Sequence, residues 1–217
     1  MSWVNPLLPN LQDYITFVLN QGPPIADLPL IQTTITTTAG SDIATAASDT
    51  GLTVGMIVLS QYVPFQTTII SISGTSITLS ANATGSGTGL NAYISLDFQA
   101  LQWTFDIATN LVIGGNTIAG ILYILAVYNL GMHNLIGIAL DIPGQTFFVQ
   151  ARKDFKVLDF VGGIISGSAD QSSSASITTS EMLKNVSISD LDLFKTPWGR
   201  SYAGYAQKYG PYVVGVS

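Results

Sequence analysis

The chain has 217 residues, no cysteine and a formal net charge of −6. Only 9% of its residues are charged, against about 25% in an average globular domain, while 47% are hydrophobic. The hydrophobic fraction excludes disorder through weak hydrophobicity for most of the chain. The lack of cysteine excludes disulfides and Cys-based zinc sites. The length suits one or two domains.

Charge is unevenly distributed along the chain. Residues 1–151 contain seven Asp and no Lys or Arg, whereas all seven Lys and Arg lie at position 152 or beyond. Nucleic-acid binding through phosphate neutralisation needs a basic surface, which the first two thirds do not supply. Two interpretations of so uncharged a surface remain open: a monomer covered by Ser, Thr and Asn, or a subunit covered by its neighbours. We favour the subunit, because weakly charged surfaces are poorly protected against association.

Residues 1–32 open with a predicted helix and continue as an extended connector. Asn10 is a favourable N-cap, and Asp13 lies in the first turn, near the positive end of the helix dipole. Apolar residues at positions 11, 14, 15 and 18 form one face, and Gly22-Pro23-Pro24 ends the helix.

Residues 33–96 change to β character. Residues 33–38 are mostly β-branched, and Ser73-Gly74-Thr75-Ser76 separates two alternating runs. We predict a hairpin there whose buried face includes Ile70 and Ile72 on its first strand. Two further strands are predicted, over residues 52–59 and 90–96. Because helical sequence flanks this stretch, we predict an α+β protein: a mainly helical body with a small inserted antiparallel β module.

Residues 97–210 are predicted as the helical body, with a polar loop at 166–176. Leu101, Phe105, Ala108 and Val112 recur at helical spacing. The uncharged run 107–140 is long enough for a membrane span, but Asn and His interrupt it and no basic residue flanks it. We therefore predict a buried helix pair broken near Gly114-Gly115, and no membrane. Residues 1–6 lack the cationic region of a secretory signal, and we expect none.

The last helix is the clearest element in the sequence. Thr196 is its predicted N-cap and Pro197 its first residue, while Gly210 and Pro211 end it. One face carries four aromatic residues, Trp198, Tyr202, Tyr205 and Tyr209. This stripe is typical either of docking on the chain's own core or of an interface with a neighbouring subunit. Residues 211–217 are predicted as an extended tail, suited to adding a strand to another chain.

Few residues suit catalysis or metal binding. His133 is the only histidine and Glu181 the only glutamate, and no Gly-x-Ser-x-Gly or His-Glu-x-x-His motif occurs. A Ser-His-Asp triad would have to use His133, whose apolar helix is more typical of a core or interface residue. The thirteen carboxylates leave a glycosidase-type pair open. We predict no enzyme, no cofactor and no metal site.

Three segments resemble virion proteins of tailed bacteriophages. Thr50-Gly-Leu-Thr-Val-Gly-Met-Ile-Val and Thr67-Thr-Ile-Ile-Ser-Ile-Ser-Gly-Thr-Ser-Ile-Thr-Leu-Ser resemble the small β modules of those proteins. Leu193-Phe-Lys-Thr-Pro-Trp-Gly-Arg-Ser-Tyr-Ala-Gly-Tyr is similar to the ending of head and neck components, and Leu122-Tyr-Ile-Leu-Ala-Val-Tyr to the same group. The resemblance covers about half of the chain.

Among phage proteins the layout is most similar to head-to-tail connectors, also called adaptor or neck proteins. The resemblance implies a structural homo-oligomer, a twelvefold ring that joins the portal protein to the tail tube or nozzle protein. The ring would lie in the virion after assembly in the host cytoplasm, and the genome would pass through it without sequence-specific binding. The acidic region 1–151 suits a channel wall that repels phosphate.

The resemblance also implies interface residues. The aromatic residues Trp198, Tyr202, Tyr205 and Tyr209 would pack against a neighbouring subunit, and Arg200 and Lys208 would bridge to acidic partner surfaces. The tail, with Tyr212, Val213 and Val214, would lie along the portal, although connector tails are usually longer. Two other roles stay open: a capsid decoration or cement protein, and a host-binding tail tip or fibre protein whose β module carries recognition.

Overall fold

The computed structural model describes residues 8–111, 120–159, 167–170, 173–176 and 188–209. Within them the fold is α+β, as predicted. The six α-helices are α1 (Leu11–Asn20), α2 (Gln99–Leu111), α3 (Gly120–Ile138), α4 (Phe147–Asp154), α5 (Ile188–Leu193) and α6 (Pro197–Tyr209). The eight strands are β1 (Ile31–Thr37), β2 (Ile43–Ala46), β3 (Ile57–Ser60), β4 (Ile69–Ser73), β5 (Ser76–Leu79), β6 (Gly87–Ser95), β7 (Gly167–Asp170) and β8 (Ser173–Ser176).

The first six strands form one antiparallel sheet in the order β3-β6-β1-β2-β5-β4. The sheet curls into a half-barrel whose edge strands meet. Val58 N–H donates to the Thr67 carbonyl at 2.8 Å, and Ile69 N–H donates to the Met56 carbonyl at 2.8 Å. Curling covers part of each edge and encloses an apolar interior, which includes Ile35, Ile77 and Ile94.

The prediction of a small inserted β module is wrong in scale. Six strands between Ile31 and Ser95 make the sheet a large N-terminal part of the fold. Sequence alternation identified strand character but did not show that β6, nine residues long, pairs with both β1 and β3. Long-range pairing of this kind joins short strands into one sheet with its own interior.

The β4–β5 hairpin is confirmed, with one exception in its buried face. Ser73 pairs with Ser76, and Gly74 takes a left-handed φ of 56° in the two-residue turn. Ile77 and Leu79 are buried, but Ile70 is 55% exposed. A register shift between Ile69 and Ser71 turns Ile70 outward and buries Ile69 instead.

Helix α1 follows its sequence pattern and joins the sheet to the helices. The Asn10 side chain accepts a hydrogen bond from the Asp13 N–H at 2.9 Å, and the predicted face of α1 is buried. The Tyr14 hydroxyl lies 3.1 Å from Thr104 Oγ1 on α2. The Tyr93 hydroxyl of β6 lies 2.8 Å from Thr16 Oγ1. A second apolar cluster, separate from the sheet interior, therefore lies among α1, α2, α3 and α4.

Helix α3 lies in the centre of this helical cluster. By length and composition alone, Ile121–Ile138 is the one segment among the described residues that could cross a membrane. More than half of it is buried inside the protein, and core helices of soluble proteins meet the same criterion. The helix pair predicted across residues 107–140 corresponds to α2 packed on α3, and the predicted break at Gly114-Gly115 lies outside the described residues.

The polar segment 166–176, predicted as a loop, contains a second small sheet. Strands β7 and β8 pair antiparallel, with Gly167 opposite Ser176 and Asp170 opposite Ser173. Sequence analysis did not detect this ribbon because its Ser, Ala and Gly residues supply no apolar alternation.

Candidate assembly surface

Helix α2 carries apolar side chains on two of its faces. Its start is fixed by Asp97, whose Oδ1 accepts the Gln99 N–H at 2.6 Å. The inner face buries Leu101, Thr104 and Ala108 against the rest of the helical cluster. The outer face carries Trp103, Ile107 and Leu111, one turn apart and 54%, 44% and 59% exposed. This second apolar stripe faces outward, and no element among the described residues covers it.

Neighbouring apolar residues extend this outer stripe. Ile138 shares a groove of about 330 Å³ with Ile107 and Leu111, and a second groove of about 410 Å³ with Trp103 and Leu140. Phe65 lines a third groove together with Trp103. The resulting surface, called here the apolar band, has six large side chains, each at least 44% exposed: Phe65, Trp103, Ile107, Leu111, Ile138 and Leu140.

Sequence reasoning missed the apolar band, although part of its signal was present. The face predicted for α2 was the inner one, and Trp103, Ile107 and Leu111 at i, i+4 and i+8 form an equally regular second stripe. The remaining members come from residues far apart in sequence. Only the packing of α2 on α3 and on the sheet makes them adjacent.

Helix α6 places its aromatic stripe inward. Trp198, Tyr202 and Tyr205 are half-buried against the helical cluster. The Trp198 ring meets Phe155 edge to face at 5.7 Å between centroids, and its Nε1–H donates to Gln21 Oε1 at 3.0 Å. In the isolated chain these three residues therefore dock on their own core. The interface role predicted for them remains a prediction.

The predicted helix start at Thr196 is confirmed. Thr196 is fully buried, and its Oγ1 accepts the Gly199 N–H at 2.9 Å. The same oxygen lies 2.8 Å from His133 Nδ1. His133 and the Thr196 hydroxyl therefore share a hydrogen bond, in which the imidazole tautomer decides which group donates.

His133 is held in this position as a neutral, structural residue. Burial lowers the pKa of His133, and nearby Lys195 lowers it further, while Asp192 acts in the opposite direction. The imidazole therefore joins α3 to the first turn of α6. This arrangement agrees with the core or interface role expected for a lone histidine.

Several basic residues stabilise the chain itself. Arg152 Nη1 donates to the Ile136 and Ala139 carbonyls at the end of α3, at 3.0 and 2.6 Å. Lys195 Nζ donates to the Asp159 carbonyl and lies 2.7 Å from Asp192 Oδ1. In these contacts the cationic side chains donate hydrogen bonds to backbone carbonyls at a helix end and in a turn.

The two predicted interface cations, Arg200 and Lys208, both lie on α6, and their interface role remains a prediction. Arg200 is exposed, but its Nη1 donates to the Phe194 carbonyl at 2.8 Å within the chain. Lys208 is exposed on α6. Tyr209 belongs to α6, and its side chain lies outside the described residues, as do Tyr212, Val213 and Val214 of the predicted tail.

In the part of the chain that the structure describes, no group of three or more His, Cys, Asp or Glu could hold a metal ion. The apolar band is a surface of the described residues that suits contact with another molecule. Comparison of this chain with family models, curated proteins and solved structures finds no match.

Proposed function

We propose that the protein is a non-enzymatic structural subunit that assembles through the apolar band. One observation carries the proposal: six large apolar side chains lie exposed and adjacent on one surface. Soluble monomers rarely expose a contiguous apolar surface of this kind. Burying one such side chain contributes about 1.5–3 kcal/mol, so covering several of them supports a stable interface.

The charge pattern supports the same role. Few charges oppose close approach of two copies, since 9% of the residues are charged. Arg152, Lys195 and Arg200 are bound to backbone carbonyls of their own chain. They therefore contribute little to a phosphate-binding surface, which is compatible with a genome that passes without being gripped.

Within this role we propose a place in a tailed-phage particle, as the connector ring between portal and tail. The support is the resemblance of residues 193–211 to head and neck components, together with a helical cluster beside a β-sheet. The partners would be further copies of the chain, the portal protein and the tail tube or nozzle protein. The tail residues Tyr212, Val213 and Val214 keep their proposed portal contact.

The assembly role is tested by sedimentation velocity of the full chain over a range of concentrations. Trp103→Ala with Ile107→Ala should weaken self-association by about a hundredfold or more, because two large side chains lose their burial. The matched control is Ile43→Thr with Ile70→Thr, which removes two equally exposed apolar residues from the sheet, at 54% and 55% exposure. This control should assemble as the unchanged protein does.

The connector role is tested separately by negative-stain imaging with and without purified portal protein. We expect rings seated on the portal, and we expect the band variant to lose them. A chain that stays monomeric at every concentration and never joins the portal would overturn both proposals. Self-association without portal binding would keep the structural role and reject the connector, in favour of a capsid or tail-tip position.

A further inference from the structure

Asp27 is a buried carboxylate for which the described residues supply no partner. It lies in a short 3-10 turn, Ile25–Asp27, and is only 2% exposed. Its Oδ1 is fully buried and makes no hydrogen bond with any residue that the structure describes. Burial of a carboxylate without a partner is strongly unfavourable, so such groups are normally paired or hydrogen-bonded. An unpaired oxygen in this position points to a partner that the described residues do not supply.

This carboxylate lines the larger groove of the apolar band, of about 410 Å³. Two other carboxylates border the same groove, but both already serve helix starts. Asp97 accepts the Gln99 N–H, and Asp141 accepts the Phe148 and Val149 N–H groups at 2.7 and 2.8 Å. Among the three carboxylates of the groove, Asp27 is thus the one without a hydrogen bond to a described residue.

The chain offers Asp27 no cation from its first 151 residues, which contain no Lys or Arg. Arg152 follows next in sequence, and its guanidinium is bound to the Ile136 and Ala139 carbonyls. A metal ion fits poorly, because hard cations require several oxygen ligands and the described residues hold no such cluster.

The walls of the groove define the rest of the ligand. Phe98, Leu140 and Phe148 supply apolar surface, and Trp103 adds an exposed aromatic ring. Lys and Arg side chains combine an apolar stem with a cationic head, and such cations also bind favourably over an aromatic face. From this geometry we infer that the groove binds an ammonium or guanidinium group on an apolar stem, as in a basic side chain presented by another chain.

This inference adds a partner chemistry to the apolar band and rests on the proposed function only for the source of the cation. Lys153 and Lys156 of a second copy are one source, because both side chains are exposed and neither ammonium group forms a hydrogen bond or ion pair with any described residue. A basic side chain of another virion protein is the other source. Both offer the same chemistry to Asp27.

The groove is tested on the full chain with n-pentylammonium chloride, and with 1-pentanol as the uncharged probe of similar size. Amide NMR spectra should show n-pentylammonium shifting Leu28 and Phe98 signals and binding at least about tenfold more tightly than pentanol, because a charge-assisted hydrogen bond is added. Asp27→Asn keeps the shape and should abolish this preference. Asp42→Asn, which changes an exposed carboxylate before β2, should retain it.

Equal affinity for the two probes in the unchanged protein would overturn the inference, and this result needs no variant to fold. A preference that survives in Asp27→Asn would overturn it as well. If a second copy supplies the cation, Asp27→Asn and the double variant Lys153→Gln, Lys156→Gln should both weaken self-association. If another protein supplies it, self-association should be unchanged while n-pentylammonium binding is still lost in Asp27→Asn.

Failure of the groove and failure of the assembly role are distinguishable. A protein that never self-associates can still bind n-pentylammonium through Asp27. A protein that self-associates through Trp103 and Ile107 can still bind n-pentylammonium and pentanol with equal affinity. That result would reject cation binding in the groove and leave the assembly role intact.

Discussion

Helices α2 and α6 carry similar apolar stripes but use them in opposite ways. The aromatic residues Trp198, Tyr202 and Tyr205 of α6 turn toward the helical cluster, whereas Trp103 and Ile107 of α2 face solvent. The spacing of both stripes is helical, so periodicity identifies the helix but not the direction of its apolar face. The direction depends on neighbours: α2 already buries Leu101, Thr104 and Ala108, and its second stripe has no covering element among the described residues.

The largest expected effect concerns the close approach of α6 to α3 and α5. A methyl group added at Gly199 would collide with the Leu193 carbonyl and lie 2.9 Å from His133 Nδ1. We expect Gly199→Ala to lower the free energy of unfolding by about 3 kcal/mol, through overpacking against backbone that cannot move aside. Urea unfolding followed by circular dichroism measures this loss.

Gly204 is the matched control on the same helix. A methyl group there would meet nothing within 4 Å, so Gly204→Ala should raise the free energy of unfolding by about 0.5–1 kcal/mol. If both substitutions changed stability in the same direction, α6 would not be docked as closely as the structure places it.

The next largest effect distinguishes Trp198, which faces inward, from Trp103, which faces solvent. Trp198→Ala should lower the free energy of unfolding by about 2 kcal/mol, because it removes a half-buried ring and its hydrogen bond to Gln21. Trp103→Ala should change the stability of the monomer by less than about 0.5 kcal/mol but weaken self-association. Chemical unfolding at low protein concentration and sedimentation at high concentration separate the two. Equal losses of stability would remove the distinction between the inward and outward stripes.

The smallest effect is the pH dependence contributed by His133. Since burial lowers its pKa in the folded state, the unfolded chain binds a proton first as pH falls. The contribution of His133 to stability is complete above the unfolded pKa of about 6.5 and declines as pH falls below it. His133→Gln should lack this decline, so the difference between the two proteins isolates it. An NMR titration of the only histidine should give a midpoint below 6.5, and a midpoint above that value would contradict the buried, neutral assignment.

Local elements were largely predictable from the sequence. The caps at Asn10 and Thr196 and the Gly74 turn act within four residues of themselves, and each appears where it was expected. Burial of Ile70 was predicted wrongly, because a register shift changes which side of the strand a residue faces without changing the sequence alternation.

The candidate surface was less predictable. The stripe on α2 was visible in the sequence as a second period, but its continuation through Ile138, Leu140 and Phe65 was not. Asp27 gave no sign of being buried, since a lone Asp between prolines and leucines is typical of an exposed connector. Both features depend on contacts between residues far apart in the chain.

The sequence by itself determined the α+β class, the two capped helices, the main hairpin and a surface with little charge. These follow from short-range physics, in which side chains cap nearby backbone groups and apolar residues repeat with the period of their element. The tertiary structure decided that six strands form one curled sheet, that the α6 aromatics turn inward, and that the α2 stripe and Asp27 share one groove. Those outcomes depend on which surfaces meet when the elements pack, and a periodic pattern does not contain that information.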